Sequence, residues 1–425
     1  MDRIRPLPLA MLAAGFFFSC ESGTSSFDFD LENNTRVQLV ELVLPSRSIF
    51  IDSLRTDNES RLIAGNYSDE RFGSIKAEAY SEVTFVEGQI IYDTLQYDSL
   101  IVNLTIDNFL TNDPGFQASF SLHKLSEEFE TSLVYLKENK MGIRAQIDSV
   151  SFPLIPTLDS QTQNVSFKAN KWGRDIFTKI TVDSVGQIIN ATVDNIALIP
   201  IEGNQTAISI NLDSDSTELV LYSSYDTIAY ETKFRLTSNN HSYISRVTTG
   251  NENNNMDDAA VFDMSDDSQL ISSLFGVYNY VDLTPLQEFI ASNETLLINQ
   301  AEINTSVQAS SRDEVSEMRY YFYDEQYGFR GEGIFENAFL NAVLSNTAYL
   351  EGSSTLLVSE FNSEDEIYEQ DITFFIESFA NYYSEEGEFF ANGLVLTPAE
   401  FVTLQESLLR NPSSTSIIIY ATSIE

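Results

Sequence analysis

Apolar residues recur at every second position over many short stretches of the chain. Leu100, Val102, Leu104 and Ile106 fall on one side of a segment whose other side carries Ser99, Asn103 and Thr105. Alternation of this period marks a strand with one buried face. Leu219-Val220-Leu221-Tyr222, Tyr320-Tyr321-Phe322-Tyr323, Ile372-Thr373-Phe374-Phe375-Ile376 and Ile417-Ile418-Ile419-Tyr420 are denser runs of β-branched and aromatic residues. They too predict strands, because such side chains suit a pleated, half-buried surface. With turn residues between them, the pattern predicts a mostly β chain built as two tandem β-sandwich domains with a few short capping helices.

Two helices stand out. Thr284-Pro285-Leu286-Gln287 sets a hydroxyl residue before a proline at the first helical position, and Leu286, Phe289 and Ile290 then share a face. Thr397-Pro398-Ala399-Glu400 repeats the device, with Phe401, Leu404 and Leu408 as the apolar stripe and Pro412 beyond its end. Ser126 to Lys140 has acidic residues early and lysines late, as the helix dipole favours, and reads as a third helix.

The polar, acidic segment 250–267 separates a first domain, 36–249, from a second, 268–425. The two sides look alike. Asp98 to Leu104 and Ser216 to Tyr222 upstream correspond to Leu297 to Ile303 and Ser414 to Tyr420 downstream. This predicts two related sandwiches, the first enlarged by insertion.

The amino terminus changes the picture more than any later segment. Arg3 and Arg5 precede an apolar run through Leu9, Met11, Leu12 and Phe16 to Phe18, and Ser19-Cys20 closes it. The run is shorter than the ~20 apolar residues of a membrane-spanning helix and has the layout of an export signal. A small residue directly before cysteine at that place predicts a lipoprotein signal over 1–19, with Cys20 acylated as the mature first residue. Cys20 is the one cysteine of the chain, so it has no disulfide partner within it. Residues 20–35 read as a polar tether. The expected address is the bacterial outer membrane, with the ectodomain at the cell surface.

The formal charge is −41, and one unit more negative once Asp2, Arg3 and Arg5 leave with the signal. Nucleic-acid binding needs Lys and Arg to displace counterions, so that class of partner is excluded. The expected partners are the membrane, through lipid on Cys20, and a polysaccharide or another envelope protein.

Asp57-Asn58, Arg61-Leu62, Gly65-Asn66-Tyr67-Ser68-Asp69 and Phe72-Gly73 resemble the opening of a large family of bacteroidete lipoproteins known as domain of unknown function 4270. Tyr97-Asp98-Ser99-Leu100, Ile298 to Ile303 and Ile419-Tyr420-Ala421-Thr422 match its later landmarks, so the resemblance covers most of the mature chain. Glu70 departs from the pattern, which more often has proline there. No catalytic residues come with the resemblance. The landmarks are also similar to those of jelly-roll modules beside carbohydrate-active enzymes, which implies a jelly-roll-like sandwich and brings in glycan binding by analogy between folds. Exported proteins of such bacteria carry O-glycans on a triplet of Asp, hydroxyl residue and aliphatic. Ser53, Thr94, Ser99, Ser149, Ser184 and Thr227 stand in such triplets; Asp-Ser and Asp-Thr also begin strands after turns.

The chemistry the residues permit is narrow. There are two histidines, His123 and His241, and neither sits in a Gly-x-Ser-x-Gly context. A zinc site built on several histidines is excluded by that count, and a Gly-rich phosphate loop is lacking. Trp172, the one tryptophan, lies in Lys171-Trp172-Gly173-Arg174. The setting looks loop-like and offers a flat ring to a sugar, or else packs the indole on a sandwich edge. Asp213 and Asp215 offer hard oxygen ligands to calcium, though aspartates in turns serve the turn itself just as well. The function expected from all this is a non-catalytic binding, adhesive or structural role. A carbohydrate-binding surface module is the alternative, and a carboxylate-based glycoside hydrolase stands behind it.

Overall fold

The computed structural model describes residues 29–31, 35–51, 56–57, 60–69, 73–86, 95–130, 139–155, 162–182, 188–191, 193–236, 243–249, 260–262, 268–293, 296–308, 314–324, 328–330, 358–389, 391–399, 403–410 and 414–424. It is mostly β, with two large antiparallel sheets that form two β-sandwich-like units. Three helices accompany them among the described residues: α1 (Asn170–Lys179), α2 (Thr284–Ser292) and α3 (Thr373–Glu386).

The two units repeat one path. In the first, the hairpin of Arg61–Asp69 and Gly73–Ser81 is followed across the sheet by Ile196–Pro200, Gln117–Leu125 and Ile143–Pro153. Gln96–Thr111 lies between Gln163–Lys168 and Glu218–Tyr225, and Thr206–Asn211 returns beside Arg61–Asp69. In the second, the hairpin of Ser268–Ser272 and Val277–Asp282 is followed by Gly393–Pro398, Glu317–Asp324 and Val358–Asn362. Leu296–Ser306 lies between Ile367–Asp371 and Thr415–Ile424, and Glu406–Arg410 returns beside Ser268–Ser272. A bridge between Val307 and Leu409 then draws the last strand of the path back to the central one, so this sheet closes on its own core.

The likeness extends to single hydrogen bonds. The Ala169 N–H, just ahead of α1, donates to the Leu100 carbonyl at 3.0 Å, and the Ile372 N–H, just ahead of α3, donates to Ala301 at 2.8 Å. Leu100 and Ala301 hold the same register place, opposite Leu221 and Ile419 respectively. The strand pairs that the sequence matched across the chain are therefore true counterparts.

The division between the units is not the one expected. Thr35–Leu44 pairs along all ten residues with Thr415–Ile424, and Ser46–Phe50 pairs with Val277–Val281. Residues 36–50, expected in the first domain, belong to the second sheet. Their apolar face (Val40, Leu42, Leu44, Ile49) completes its core beside Tyr278, Ile417 and Ile419. In the first unit the same two places are filled by Ile228–Leu236 and Tyr243–Thr249. One repeat thus reads as a strand pair followed by a sandwich body, and the pair at the very start of the chain closes the body at its end. Two further boundaries move with it. Phe29–Leu31 pairs with Thr35 to Val37, so the tether is shorter than 20–35, and Ala260–Phe262 of the expected linker pairs with Ser48 to Phe50.

Equivalent strands also make the contact between units. Ile75, Ala77 and Val247 of the first pack with Val277, Phe275 and half-buried Phe50 of the second.

Local expectations held unevenly. The α2 helix forms with Leu286 and Ile290 buried, but Thr284 is its first residue and Leu283, not Thr284, its N-cap. Asp282 caps it by accepting from the Thr284 N–H at 2.9 Å and the Thr284 hydroxyl at 2.6 Å. Residues 397–399 and 403–408 do not make the expected helix, and 400–402 lie outside the described residues. Gly393–Pro398 is a central strand paired on both sides, and Glu406–Arg410 is another, because sheet partners outweigh the Thr-Pro signal. The expected strand at 372–376 is the start of α3. There Asp371 accepts from the Thr373 N–H and hydroxyl, repeating the α2 cap, while Phe375, Ile376 and Phe379 turn inward at helical spacing. Residues 126–130 and 139–140 are not helical, and 131–138 lie outside the described residues.

The seam of the duplication can be tested. In the first unit Tyr225 and Ile228 close a two-residue turn in which Asp226 has φ +57°. Thr35 and Ile424 stand at the matching place with no turn between them. A permutant running from Ile228 to Ile424, through Asn-Gly, then from Thr35 to Tyr225, should fold with native near-ultraviolet dichroism and one cooperative melt. A permutant that stays unfolded would contradict the assignment of the amino-terminal strands.

Candidate functional site

The chemistry foreseen from the sequence is scattered over the structure. Cys20, Ser53, Thr94, Ser184 and His241 lie outside the described residues. Among the other candidate glycan acceptors, Ser99 is half-buried in strand Gln96–Thr111. Ser149 is exposed on strand Ile143–Pro153, its N–H bonded to the Asp148 carboxylate at 3.0 Å. Thr227 is exposed in the turn that joins Tyr225 to Ile228. Ser99 stands opposite Tyr222, on the strand that leads into the turn of Thr227, while Ser149 lies on the strand at the other end of the sheet.

Trp172 is not in a loop. It sits in the first turn of α1 with 0 % of its surface exposed, packed in the core of the first unit, and cannot offer its ring to a sugar. Gly173 explains the seating. A Cβ there would come within 2.5 Å of both the Leu100 Cβ and the Tyr97 hydroxyl, so the helix approaches the strand closely enough to bury the indole beside it. Asp213 and Asp215, read as calcium ligands, have other contacts in this structure. The Asp213 N–H joins a turn closed by the Asn211 side chain at 2.9 Å, and the Asp215 carboxylate pairs with Arg235 at 2.6 Å. Among the described residues no three acidic, histidine or cysteine side chains gather to hold a metal. His123 shares a hydrogen bond with the Ser121 hydroxyl at 2.9 Å.

One ionic cluster does assemble, and the sequence did not announce it. Lys124 ends strand Gln117–Leu125, Asp175 and Lys179 are one turn apart on α1, and Asp194 precedes strand Ile196–Pro200. Lys179 reaches Asp175 at 2.9 Å and Asp194 at 2.8 Å; Lys124 reaches Asp194 at 2.8 Å and also bonds Asp175. Each charge meets two of opposite sign. Partial burial pushes the Asp194 carboxyl up, but the hydrogen bonds and charges of Lys124 and Lys179 outweigh it and draw the group down to about 2. Asp175 is lowered against the same burial by the same two lysines, and Lys179 is raised by Asp194 and Asp175. The one visible signal was the i, i+4 spacing of Asp175 and Lys179, hidden because α1 itself had been read as loop.

This arrangement can clamp α1 to the sheet; it does not suit acid–base chemistry. A glycoside hydrolase needs one carboxyl held protonated to donate to the leaving group, and here both are held ionised.

The amino-terminal strands are the other place where sequence and structure meet. Phe29, which begins a strand paired with Thr35 to Val37, is nine positions after Cys20, a reach of at most ~30 Å. The strand beginning at Thr35 is locked, residue by residue, into the second sheet, with Thr35 opposite Ile424. No helix among the described residues is long and apolar enough to cross a membrane.

The cluster gives a pH signature. Because the folded carboxylates titrate below their unfolded value, their stabilisation is complete above about pH 5 and is lost as pH falls towards 2. The Lys179 share holds up to the unfolded lysine range and is lost above it. Asp194→Asn should cost about 1 kcal/mol of unfolding free energy at pH 7, a figure reduced for solvent screening. In urea melts that cost should shrink steadily as pH falls from about 5 towards 2. A cost that does not change with pH would mean the cluster is not ionised as described.

No family model, curated protein or solved structure matches the chain.

Proposed function

We propose that the chain is a lipid-anchored envelope protein, held in the bacterial outer membrane by acyl chains on Cys20, whose ectodomain has a non-catalytic binding, adhesive or structural role at the cell surface. The observation that carries this reading is the fit between the signal ending at Cys20 and the strand beginning at Thr35. A short tether leads into Phe29–Leu31, which folds back on Thr35 to Val37 at the start of the strand that closes the second sheet. A protein built to hold its place at a membrane gains from such a joint, since load on the anchor spreads over a ten-residue ladder.

The acidic composition fits a solvated exterior that does not adhere to like-charged polymers. The carbohydrate-binding alternative gains nothing from Trp172, which is buried. The hydrolase reading gains nothing from Asp175 and Asp194, which hold no proton to donate.

Protease treatment of intact cells tests the proposal. The wild-type ectodomain should be digested while periplasmic controls survive, and Cys20→Ser should release the protein from the membrane fraction. Membrane retention of Cys20→Ser would refute the anchor, and resistance to protease until the envelope is broken would move the ectodomain to the inner side.

A further inference from the structure

The duplication supplies an internal control for reading the surface of the anchored strand. Thr35–Leu44 and Ile228–Leu236 hold equivalent places, each beside the strand that ends in Ile419-Tyr420 or Leu221-Tyr222. Register makes the outward positions comparable one by one. Val37, Leu39, Glu41 and Val43 lie opposite Thr422, Tyr420, Ile418 and Ser416. Ala229, Glu231, Lys233 and Arg235 lie opposite Ser224, Tyr222, Val220 and Glu218.

The same fold position is finished in two ways. On the first unit Lys233 crosses to Glu218 at 3.0 Å, Arg235 pairs with Asp215, and Val220 beneath them is buried. The charged stems cover what apolar surface there is, as long basic side chains do. On the second unit Leu39 replaces Glu231 and Val43 replaces Arg235, and the apolar surface is left bare. Val43 is 49 % exposed and Tyr420 39 %, and Leu297, opposite Thr422 on the next strand, is 58 % exposed. The sandwich folds equally well with either surface, so packing does not require this one. A contiguous apolar face on an exterior sheet marks a contact.

We propose that the anchored end of this face rests on the membrane, with lipid as its occupant. This deepens the reading of Cys20 as the lipid-bearing residue and rests on it. Two features select lipid over other partners. The chain from Cys20 enters the sheet at Phe29, opposite Val37, in the row that continues through Thr422 to Leu297. Leu297 therefore stands in the row where the anchor leaves, and Tyr420 roughly 7 Å along the strands from it. The second feature is the gradient along the face. Val37, Leu39, Leu297 and Tyr420 come first, the acidic row of Glu41 and Glu302, both opposite Ile418, lies farther out, and Val43 stands beyond it. Apolar groups with a tyrosine nearest the anchor, then carboxylates, is the order that an interface between acyl chains, headgroups and water accommodates. Docking of so small a face would be weak in free solution, but the tether makes it intramolecular.

The test uses the processed, acylated full-length chain in vesicles of phosphatidylethanolamine and phosphatidylglycerol carrying brominated acyl chains. Leu297→Trp adds an indole at the face, and Glu231→Trp adds one at the equivalent face of the first unit; buried Trp172 is a background common to both. Vesicle flotation should succeed for both. Quenching of Leu297→Trp should exceed that of Glu231→Trp by about twofold or more, and adding Leu39→Ser with Tyr420→Ser should remove the excess. Flotation with equal quenching would overturn the docked face while leaving the anchor standing. Failure to float would remove the anchor and the docking together. If the soluble Cys20→Ser chain forms a dimer that Leu39→Ser with Tyr420→Ser dissociates, the face belongs to a second copy and lipid is the wrong occupant.

Discussion

The fold depends on the antiparallel ladder between Thr35–Leu44 and Thr415–Ile424. These strands lie near opposite ends of the chain, so their pairing closes a loop that contains everything else. Closure entropy grows slowly with loop length, and the ladder with its buried Val40, Leu42 and Leu44 can offset it once the intervening units are compact. Until the amino terminus returns, the second sheet has an open edge at Thr415–Ile424 and an incomplete core. The first unit has no such debt, because its equivalent strand follows directly through the Tyr225–Ile228 turn. One architecture is thus completed locally in one half and by the longest contact of the chain in the other.

That asymmetry gives the amino-terminal strand several consequences at once. It is the last piece of the second sandwich, the first structured ladder after the tether, and the bearer of a bare apolar exterior where its duplicate carries an ion-paired one. The ionic clamp of Lys124, Asp175, Lys179 and Asp194 belongs to the other half, where it holds α1 over the strand ends. At the matching place in the second unit α3 is held by apolar contacts instead: Phe375, Ile376 and Phe379 are buried, with Phe379 and Tyr383 stacked on Phe389. The two halves keep the same hydrogen bond ahead of each helix and change the chemistry around it.

Much of the β architecture was legible because period-two alternation is a local property. Leu100 to Ile106 and Leu219 to Leu221 announce their strands, and the likeness of Ser216 to Tyr222 with Ser414 to Tyr420 announces the duplication. What could not be read was partnership. Nothing in Val37 to Leu44 says that its ladder lies at the far end of the chain and not with the strands that follow it. The Thr397-Pro398 signal was real but subordinate, since Leu394 to Leu396 sits between two strands that demand pairing. The run Ile372 to Ile376 looked like a strand because its aromatic density hid the Asp371–Thr373 cap. The candidate ligands fared worst. Trp172 was placed in a loop on the strength of its glycine and charged neighbours, yet that glycine is what lets its helix lie flush on Leu100 and Tyr97.

The most direct test of this account is a deletion of residues 29–51 from the ectodomain, followed by two spectroscopic signals. Trp172, the single tryptophan, reports on the first unit alone, while backbone hydrogen exchange resolves the second. The account predicts that Trp172 keeps its buried emission and that strands 73–81 and 218–225 keep their protection, while 277–282, 393–398 and 415–424 lose theirs. Loss of the Trp172 signal with the second unit left protected would contradict it, because the amino-terminal strands would then complete the first unit and not the second.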